Sequence, residues 1–357
     1  MLPYYVLIVP IAALAALSSG RRPEPVAWAL AFTAIVGFVG LRHHVGMDWN
    51  NYLIMIQRAN NGDFWNAFNF AEPGYALLLW IVGQMGWGIY GAYFFGTIIF
   101  AFGVFKYSRT TPLPWMALLV AIPFPTIVIA MAAARQTIAI GILFWLVAEW
   151  EKSSIWKRVG LVALASMFHT SAIGFLIFVF LGIRGNPIVR TLGLIVACGG
   201  ILFFLRNSGQ ADYYDELYVT GQTSATRSSG AIFHVLLNGG PALIALISGP
   251  RVRRALIPND LHRNMAIAAV LLIPLSLVVS AASGRLTLYL FPVSMWIFSA
   301  IVTLFVKSDR LLVRSMLSVF FVGLLAFWLT FGNSATAHRQ YENALLVESH
   351  ELWLCCR

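Results

Sequence analysis

Charge is what this chain has least of. Only 11% of its 357 residues are charged, against roughly 25% in ordinary soluble domains. Meanwhile 59% are hydrophobic, and the mean hydropathy is +0.79. These figures exclude a water-soluble domain, because the apolar runs recur along the whole length instead of gathering into one core. Cysteine is nearly absent. Cys198 lies inside an apolar run, and Cys355 and Cys356 are neighbours in the last three residues. They offer neither a disulfide framework nor metal-ligand spacing. No internal repeat is visible, which weakens a reading built on inverted-repeat transport.

What is present is a series of apolar segments. Runs interrupted by charge predict an all-α, polytopic membrane protein forming one integral domain over residues 1–357. About twelve spans are expected, near 2–18, 26–41, 89–106, 113–131, 136–150, 158–169, 171–184, 190–205, 231–248, 265–282, 286–306 and 314–332. The first lacks a basic region ahead of it and reads as a retained helix, not a signal peptide. Segment 72–86 is short and glycine-flanked, so it is expected to be re-entrant or interfacial. On that assignment 16 of the 24 basic residues, including all four lysines, fall on one side with five acids, while eight arginines and nine acids fall on the other. The positive-inside rule makes the first side cytoplasmic and the second periplasmic. Loops 42–88 and 206–230 and the tail 333–357 then face the periplasm. The net charge of +10 is a topology signal. No basic patch is interleaved with aromatics as a strand-binding groove requires, so no nucleic-acid partner is expected.

Polar chemistry collects on the lysine-free side. Loop 42–74 carries Arg42, His43, His44, Asp48, Trp49, Tyr52, Asp63 and Glu72, and it ends in Glu72-Pro73-Gly74-Tyr75. Glu72 precedes a proline suited to open a helix, so it is either a cap or a functional acid. Arg135-Gln136 opens the next span on this face; an arginine at the bilayer edge faces a partner or an anionic ligand, or snorkels. His169, in the reversal Phe168-His169-Thr170-Ser171-Ala172, is a turn residue or a titrating group. Arg285 stands one turn from Tyr289. In the tail, Asn333, His338, Tyr341 and Asn343 are candidates for sugar hydrogen bonds. Trp49, Tyr52 and Tyr75 would stack on sugar rings or anchor at the interface.

Arginine without lysine is informative, because guanidinium offers paired donors to phosphate oxygens and suits a leaving diphosphate. Together with a carboxylate that accepts a proton from an attacking hydroxyl, such groups are the minimum machinery for glycosyl transfer from a lipid diphosphate.

Six motifs in order carry a resemblance. R-x-x-V-G-x-D-W-x-x-Y spans Arg42 to Tyr52 and E-P-G-Y spans Glu72 to Tyr75. R-Q follows at Arg135 and Gln136, F-H-x-S-A at Phe168 to Ala172, and G-R-x-x-x-Y at Gly284 to Tyr289. The last is Tyr341-Glu342-Asn343. Together they resemble the EpsG family of Wzy-type polysaccharide polymerases over nearly the whole chain. Two departures are Met47, where the family usually has a hydroxyl residue, and Arg339-Gln340, where Trp and Pro commonly lead into the Tyr.

The resemblance implies a fold similar to the GT-C-like membrane glycosyltransferases. It also implies an inner-membrane enzyme, active at the periplasmic face, that joins oligosaccharide repeat units carried on undecaprenyl diphosphate. Donor and acceptor would both be lipid-linked, the bilayer would be a partner, and a separate chain-length regulator would accompany it. No cofactor is expected. Arg135 and Arg285, with Arg42 assisting, would hold the diphosphate. Asp48 or Glu72 would deprotonate the acceptor hydroxyl, and His169 would orient or assist. Trp49, Tyr52, Tyr75, Gln136, Tyr289, Tyr341 and Asn343 would contact substrate. A single displacement inverts the anomeric centre. Arginine would make a metal unnecessary, although Asp48 with Glu72 could bind one. Alternatives are a lipid-linked oligosaccharide flippase or transporter, which needs a polar path at mid-membrane, and a glycan ligase, which would share these residues and differ in acceptor.

Overall fold

A computed structural model describes residues 1–20, 22–60, 65, 68, 71–183, 187–207, 230–278 and 280–347. Asp63 and most of loop 206–230 lie outside the described residues, as does the tail beyond 347. Among the described residues the regular structure is helical apart from one two-residue β ladder. In order the helices are α1 (Leu2–Leu17), α2 (Pro25–Gly40), α3 (Trp49–Asn60), α4 (Pro73–Gln84), α5 (Gly88–Ser108), α6 (Pro114–Ala121), α7 (Ala134–Ala148), α8 (Ile155–Ser166) and α9 (Leu176–Leu181). Then come α10 (Pro187–Asn207), α11 (Ala231–Ile247), α12 (Pro250–Leu256), α13 (Asp260–Val278), α14 (Ser280–Thr287), α15 (Phe291–Ile301), α16 (Arg310–Phe331) and α17 (Thr336–Arg339).

Four helical runs are long and apolar enough to cross a membrane: Gly88–Ser108, Asp260–Leu277, Ala282–Leu304 and Arg310–Phe331. Shorter apolar helices stand at seven further places among the described residues. The architecture is that of a helical membrane protein, while the lengths alone do not establish twelve spans. α4 has 12 residues, or about 18 Å at roughly 1.5 Å per residue, well short of a ~30 Å hydrocarbon core. The helix α3, inside the segment read as a loop, is amphipathic and buries Tyr52, Ile56 and Ala59 at helical spacing.

α5 and α7 form the centre. A Cβ on Gly103 would stand 1.9 Å from the Gly141 carbonyl oxygen, and one on Gly141 would stand 2.5 Å from Phe100 Cα. Glycine at both positions lets the two backbones touch, as small residues do where helices pack without a solvent-driven hydrophobic force. At the far end of this pair Glu149 bridges Lys106 and Lys157. α7 therefore has Arg135 at its first turn and the lysine cluster at its last, about 20 Å away at roughly 1.5 Å per residue.

The approach to α7 is irregular. Residues Ile122–Ile129 form a π-helix containing Pro123 and Pro125, which lack the N–H groups that an α-helical ladder would use. The Ala130 N–H reaches back to the Pro125 carbonyl at 3.1 Å and the Thr126 hydroxyl donates to the Ala121 carbonyl at 2.9 Å. The apolar run expected over 113–131 is helical from Pro114 to Ile129, and its wide π turns end at Ala130 to Ala133, from which α7 starts afresh.

Candidate active site

Four local devices bring the polar motifs together. In the first, Gly46 adopts φ +106°, a conformation that disfavours side chains. A Cβ there would lie 1.9 Å from the Met131 carbonyl oxygen. Its N–H donates to the Ala337 carbonyl at 3.0 Å, and its own carbonyl accepts from the Trp49 N–H at 3.2 Å. This crossing sets the chain against the turn before α7 and delivers Asp48 toward Arg135.

The second device is Glu72-Pro73-Gly74-Tyr75. Pro73 opens α4, and the Gly74 N–H donates to the Met167 carbonyl at 2.7 Å. A Cβ on Gly74 would already be 3.0 Å from that oxygen. α4 is thereby pinned beside the Phe168–Ala172 reversal. Glu72 occupies the cap position of α4 but makes no side-chain cap bond. Its Oε2 accepts from Arg135 Nη1 at 2.7 Å, its Oε1 lies 3.3 Å from His169 Nδ1, and the Thr170 N–H donates to Oε1 at 3.4 Å. The Glu72 carboxylate is thus turned to Arg135 and His169 and away from the helix cap.

Third, Arg135 sits in the first turn of α7, where helix N–H groups and the dipole favour an anion nearby. Its own N–H donates to the Tyr52 hydroxyl at 3.4 Å, and its Nε is buried with no partner among the described residues. An unsatisfied buried donor of this kind marks a place where a ligand oxygen would fit.

Fourth, the Gln136 amide donates to the Arg285 carbonyl at 3.0 Å, tying α7 to α14. Behind Arg285, Asn238 on α11 donates to the Thr287 carbonyl at 2.9 Å and accepts from the Ser294 hydroxyl at 2.6 Å. The Tyr289 and Ser171 hydroxyls lie 2.9 Å apart. The Arg285 side chain is exposed.

The two carboxylates differ. Burial raises Asp48 above the ordinary aspartate value of 3.8, an effect only partly opposed by the charges of Arg285 and Arg135 and by a hydrogen bond from Asn51. Burial would raise Glu72 as well, but the His169 ring and the Arg135 charge outweigh it and hold Glu72 at about 2. One acid is thus committed to an ion pair, while the other lies in the field of two arginines and binds a proton more readily.

Several expected contacts are placed elsewhere. Arg42, expected to assist at the diphosphate, is 1% exposed. Its guanidinium lies 3.6 Å from the centre of the Tyr93 ring and donates to the carbonyls of Val39 at 2.7 Å and Val45 at 3.3 Å. It holds the bend after α2, with Nη2 buried and without a hydrogen-bond partner among the described residues. Trp49, Tyr52 and Tyr75 are 4%, 4% and 0% exposed; Tyr52 packs on Tyr75, and Trp49 and Tyr52 both pack on Tyr93. They form a floor under the site, with no ring face open for sugar stacking. His43 contacts the Tyr90 hydroxyl within the same layer.

In the tail, Arg42 and His43 pair antiparallel with Asn343 and Glu342. The Tyr341 hydroxyl donates to the Phe38 carbonyl at 2.9 Å, and the Asn343 amide donates to the Gly37 carbonyl at 3.1 Å. Both residues clasp the end of α2. They also border an apolar cavity of about 800 Å³ with Leu2, Val6 and Phe38, which Asp48, Glu72, Arg135 and Arg285 do not line. His338 is fully buried; its carbonyl accepts from the Tyr4 hydroxyl at 2.6 Å.

The structure therefore gathers Asp48, Glu72, Arg135, Gln136, His169, Arg285 and Tyr289, while Arg42, Tyr341 and Asn343 contact the carbonyls at the end of α2. Sequence reasoning missed Asn51, Ser171 as a partner of Tyr289, and Asn238. A polar residue inside an apolar run was the available signal for Asn238.

No curated protein and no solved structure matches the chain. The sequence pattern of the EpsG family matches residues 26–343, a range that includes every residue of the cluster, and the chain belongs to that family, whose members are Wzy-type polysaccharide polymerase-like proteins.

Proposed function

We propose that the protein is a membrane glycosyltransferase that polymerises polysaccharide, moving a growing glycan from undecaprenyl diphosphate to the non-reducing end of a lipid-linked repeat unit at the periplasmic face. Family membership supports a polymerase-like role in general. The observation that carries the chemistry is the contrast between the carboxylates: Asp48, with raised proton affinity, lies in the field of Arg135 and Arg285, whereas Glu72 is spent on Arg135 and His169.

In this reading the acceptor hydroxyl oxygen attacks the anomeric carbon of the donor. The bond from that carbon to the diphosphate oxygen breaks, the electron pair leaves with the diphosphate, and the hydroxyl proton passes to Asp48. Arg285 and Arg135 neutralise charge as it develops on the leaving group, and the N-terminus of α7 adds partial positive charge. Glu72 is a positioning residue. It fixes Arg135 and His169, and Gln136 fixes the backbone of Arg285. One displacement inverts the anomeric centre. The lysine cluster at the opposite end of α7 fits the cytoplasmic side, and the arginine cluster fits the periplasmic side.

The test is incubation of the purified protein in lipid with an undecaprenyl diphosphate-linked repeat unit. A ladder of products spaced by one repeat is expected. Protein-dependent movement of the lipid-linked sugar across vesicles without a ladder would replace this reading with a flippase.

A further inference from the structure

A second cationic site lies at the lysine-bearing end, remote from the cluster above. A cavity of about 660 Å³ is bounded by Ser19 after α1, Leu113 before α6, and Thr303, Lys307, Arg310 and Arg314 around the turn into α16. It has three cations and no carboxylate in its lining. Arg314 is 7% exposed. It donates from Nη1 to the Ser18 carbonyl at 2.8 Å and leaves Nε buried without a partner among the described residues. Arg310 donates from Nε to the Phe305 carbonyl at 3.0 Å and from Nη2 to the Thr303 carbonyl at 3.1 Å, which fixes its fork at the cavity wall. Lys307 is exposed. The neighbouring Asp309 is exposed too; its carboxylate accepts from the Ser308 hydroxyl at 2.7 Å. Elsewhere at the same end Glu149 serves both Lys106 and Lys157. Three like charges left together around one cavity call for an anion from outside the chain.

The rim identifies the kind of anion. Leu304, Phe305, Val306, Leu311 and Leu312 are all exposed beside the cations, and such an apolar collar suits acyl chains. Guanidinium pairs suit phosphate oxygens, and basic pockets between membrane helices on the cytoplasmic side take anionic head groups. We propose that this cavity binds the phosphodiester headgroup of an anionic phospholipid, with its chains against the collar, in the leaflet opposite the glycosyl-transfer cluster.

The experiment is native mass spectrometry of the full-length protein in detergent with added phosphatidylglycerol or phosphatidylcholine. Wild type, Lys307→Gln and Arg314→Gln are compared, and thermal unfolding in each lipid and in inorganic phosphate alone is read alongside. Phosphatidylglycerol should be retained preferentially, and each cation removed should weaken retention about fivefold. Lys307 is exposed, so its replacement tests the site even if Arg314→Gln does not fold. Equal retention of both lipids, or unchanged retention in Lys307→Gln, would overturn the proposal. Stabilisation by inorganic phosphate with none from phosphatidylglycerol would also overturn it, in favour of a small-anion site.

Discussion

Replacing Glu72 with Gln keeps the shape of the side chain and removes its charge. In the folded protein the carboxylate contacts Arg135 at 2.7 Å, His169 at 3.3 Å and the Thr170 N–H at 3.4 Å. Its pKa is lowered from 4.5 to about 2. A carboxyl group whose pKa is depressed by folding stabilises the fold fully above its unfolded value, here 4.5, and loses that contribution as the pH falls toward about 2. At roughly 1.4 kcal/mol per pH unit the difference is about 3 kcal/mol. The Arg135 side chain is 32% exposed, so water screens the pair and about 1–3 kcal/mol is the expected loss at neutral pH. Denaturant unfolding in mixed micelles, wild type against Glu72→Gln, measures it. Glu149 is also held at about 2, by Lys106 and then Lys157, and it titrates in both proteins, so only the difference between them reports on Glu72. That difference should shrink as the pH drops below 4.5. Equal stabilities at neutral pH, or a difference that ignores acid, would refute the ion-pair reasoning.

Other substitutions separate chemistry from support. The pH–rate profile of polymerisation should show an acid limb above 3.8, where Asp48 takes up a proton, with activity rising as the pH increases through it. Arg285→Ala should lower the rate about 100- to 1,000-fold, and Arg285→Lys should recover only part of it in a membrane-normalised assay, since lysine restores charge but not paired donors. Gly46→Ala forces a Cβ to 1.9 Å from the Met131 carbonyl oxygen at φ +106°. It should cost about 1–3 kcal/mol or more, seen as lost expression or lowered thermal stability. Arg42→Gln should reduce the amount of folded protein while polymer made per folded molecule changes little, because the guanidinium is used on Val39, Val45 and Tyr93.

The residues easiest to single out were those whose polarity contradicts their surroundings. Arg135 and Arg285 are charges at the ends of apolar helices, and Glu72 precedes a helix-opening proline; polarity in such places costs free energy unless something uses it. Arg42 obeys the same description, yet it lies in the core. What separates it from Arg135 is the neighbouring carbonyls and an aromatic face brought in from α5, which no local spacing encodes. Helix α3 was legible in principle from Tyr52, Ile56 and Ala59 but was masked by the density of functional-type residues before it. Hydropathy located apolar helices at the expected runs other than 158–169, where α8 is more polar, yet it could not show that Pro123 and Pro125 turn the segment before α7 into a π-helix. The roles of Gly46 and Gly74 depend on backbone approaches across 85 and 93 residues, to Met131 and Met167. Such distant contacts leave only a lone glycine as their trace. The ranking of Asp48 over Glu72 likewise needed the partners, since the sequence shows two acids and not which of them is already paired.

The decisive experiment reconstitutes wild type, Asp48→Asn and Arg285→Ala in lipid and follows polymer formed and undecaprenyl diphosphate released in the same reaction. Both products should fall together by about 100-fold or more in each variant, with Asp48→Asn as stable as wild type. Wild-type yields from either variant, measured on folded protein, would contradict the assignment of the proton acceptor or of the leaving-group clamp.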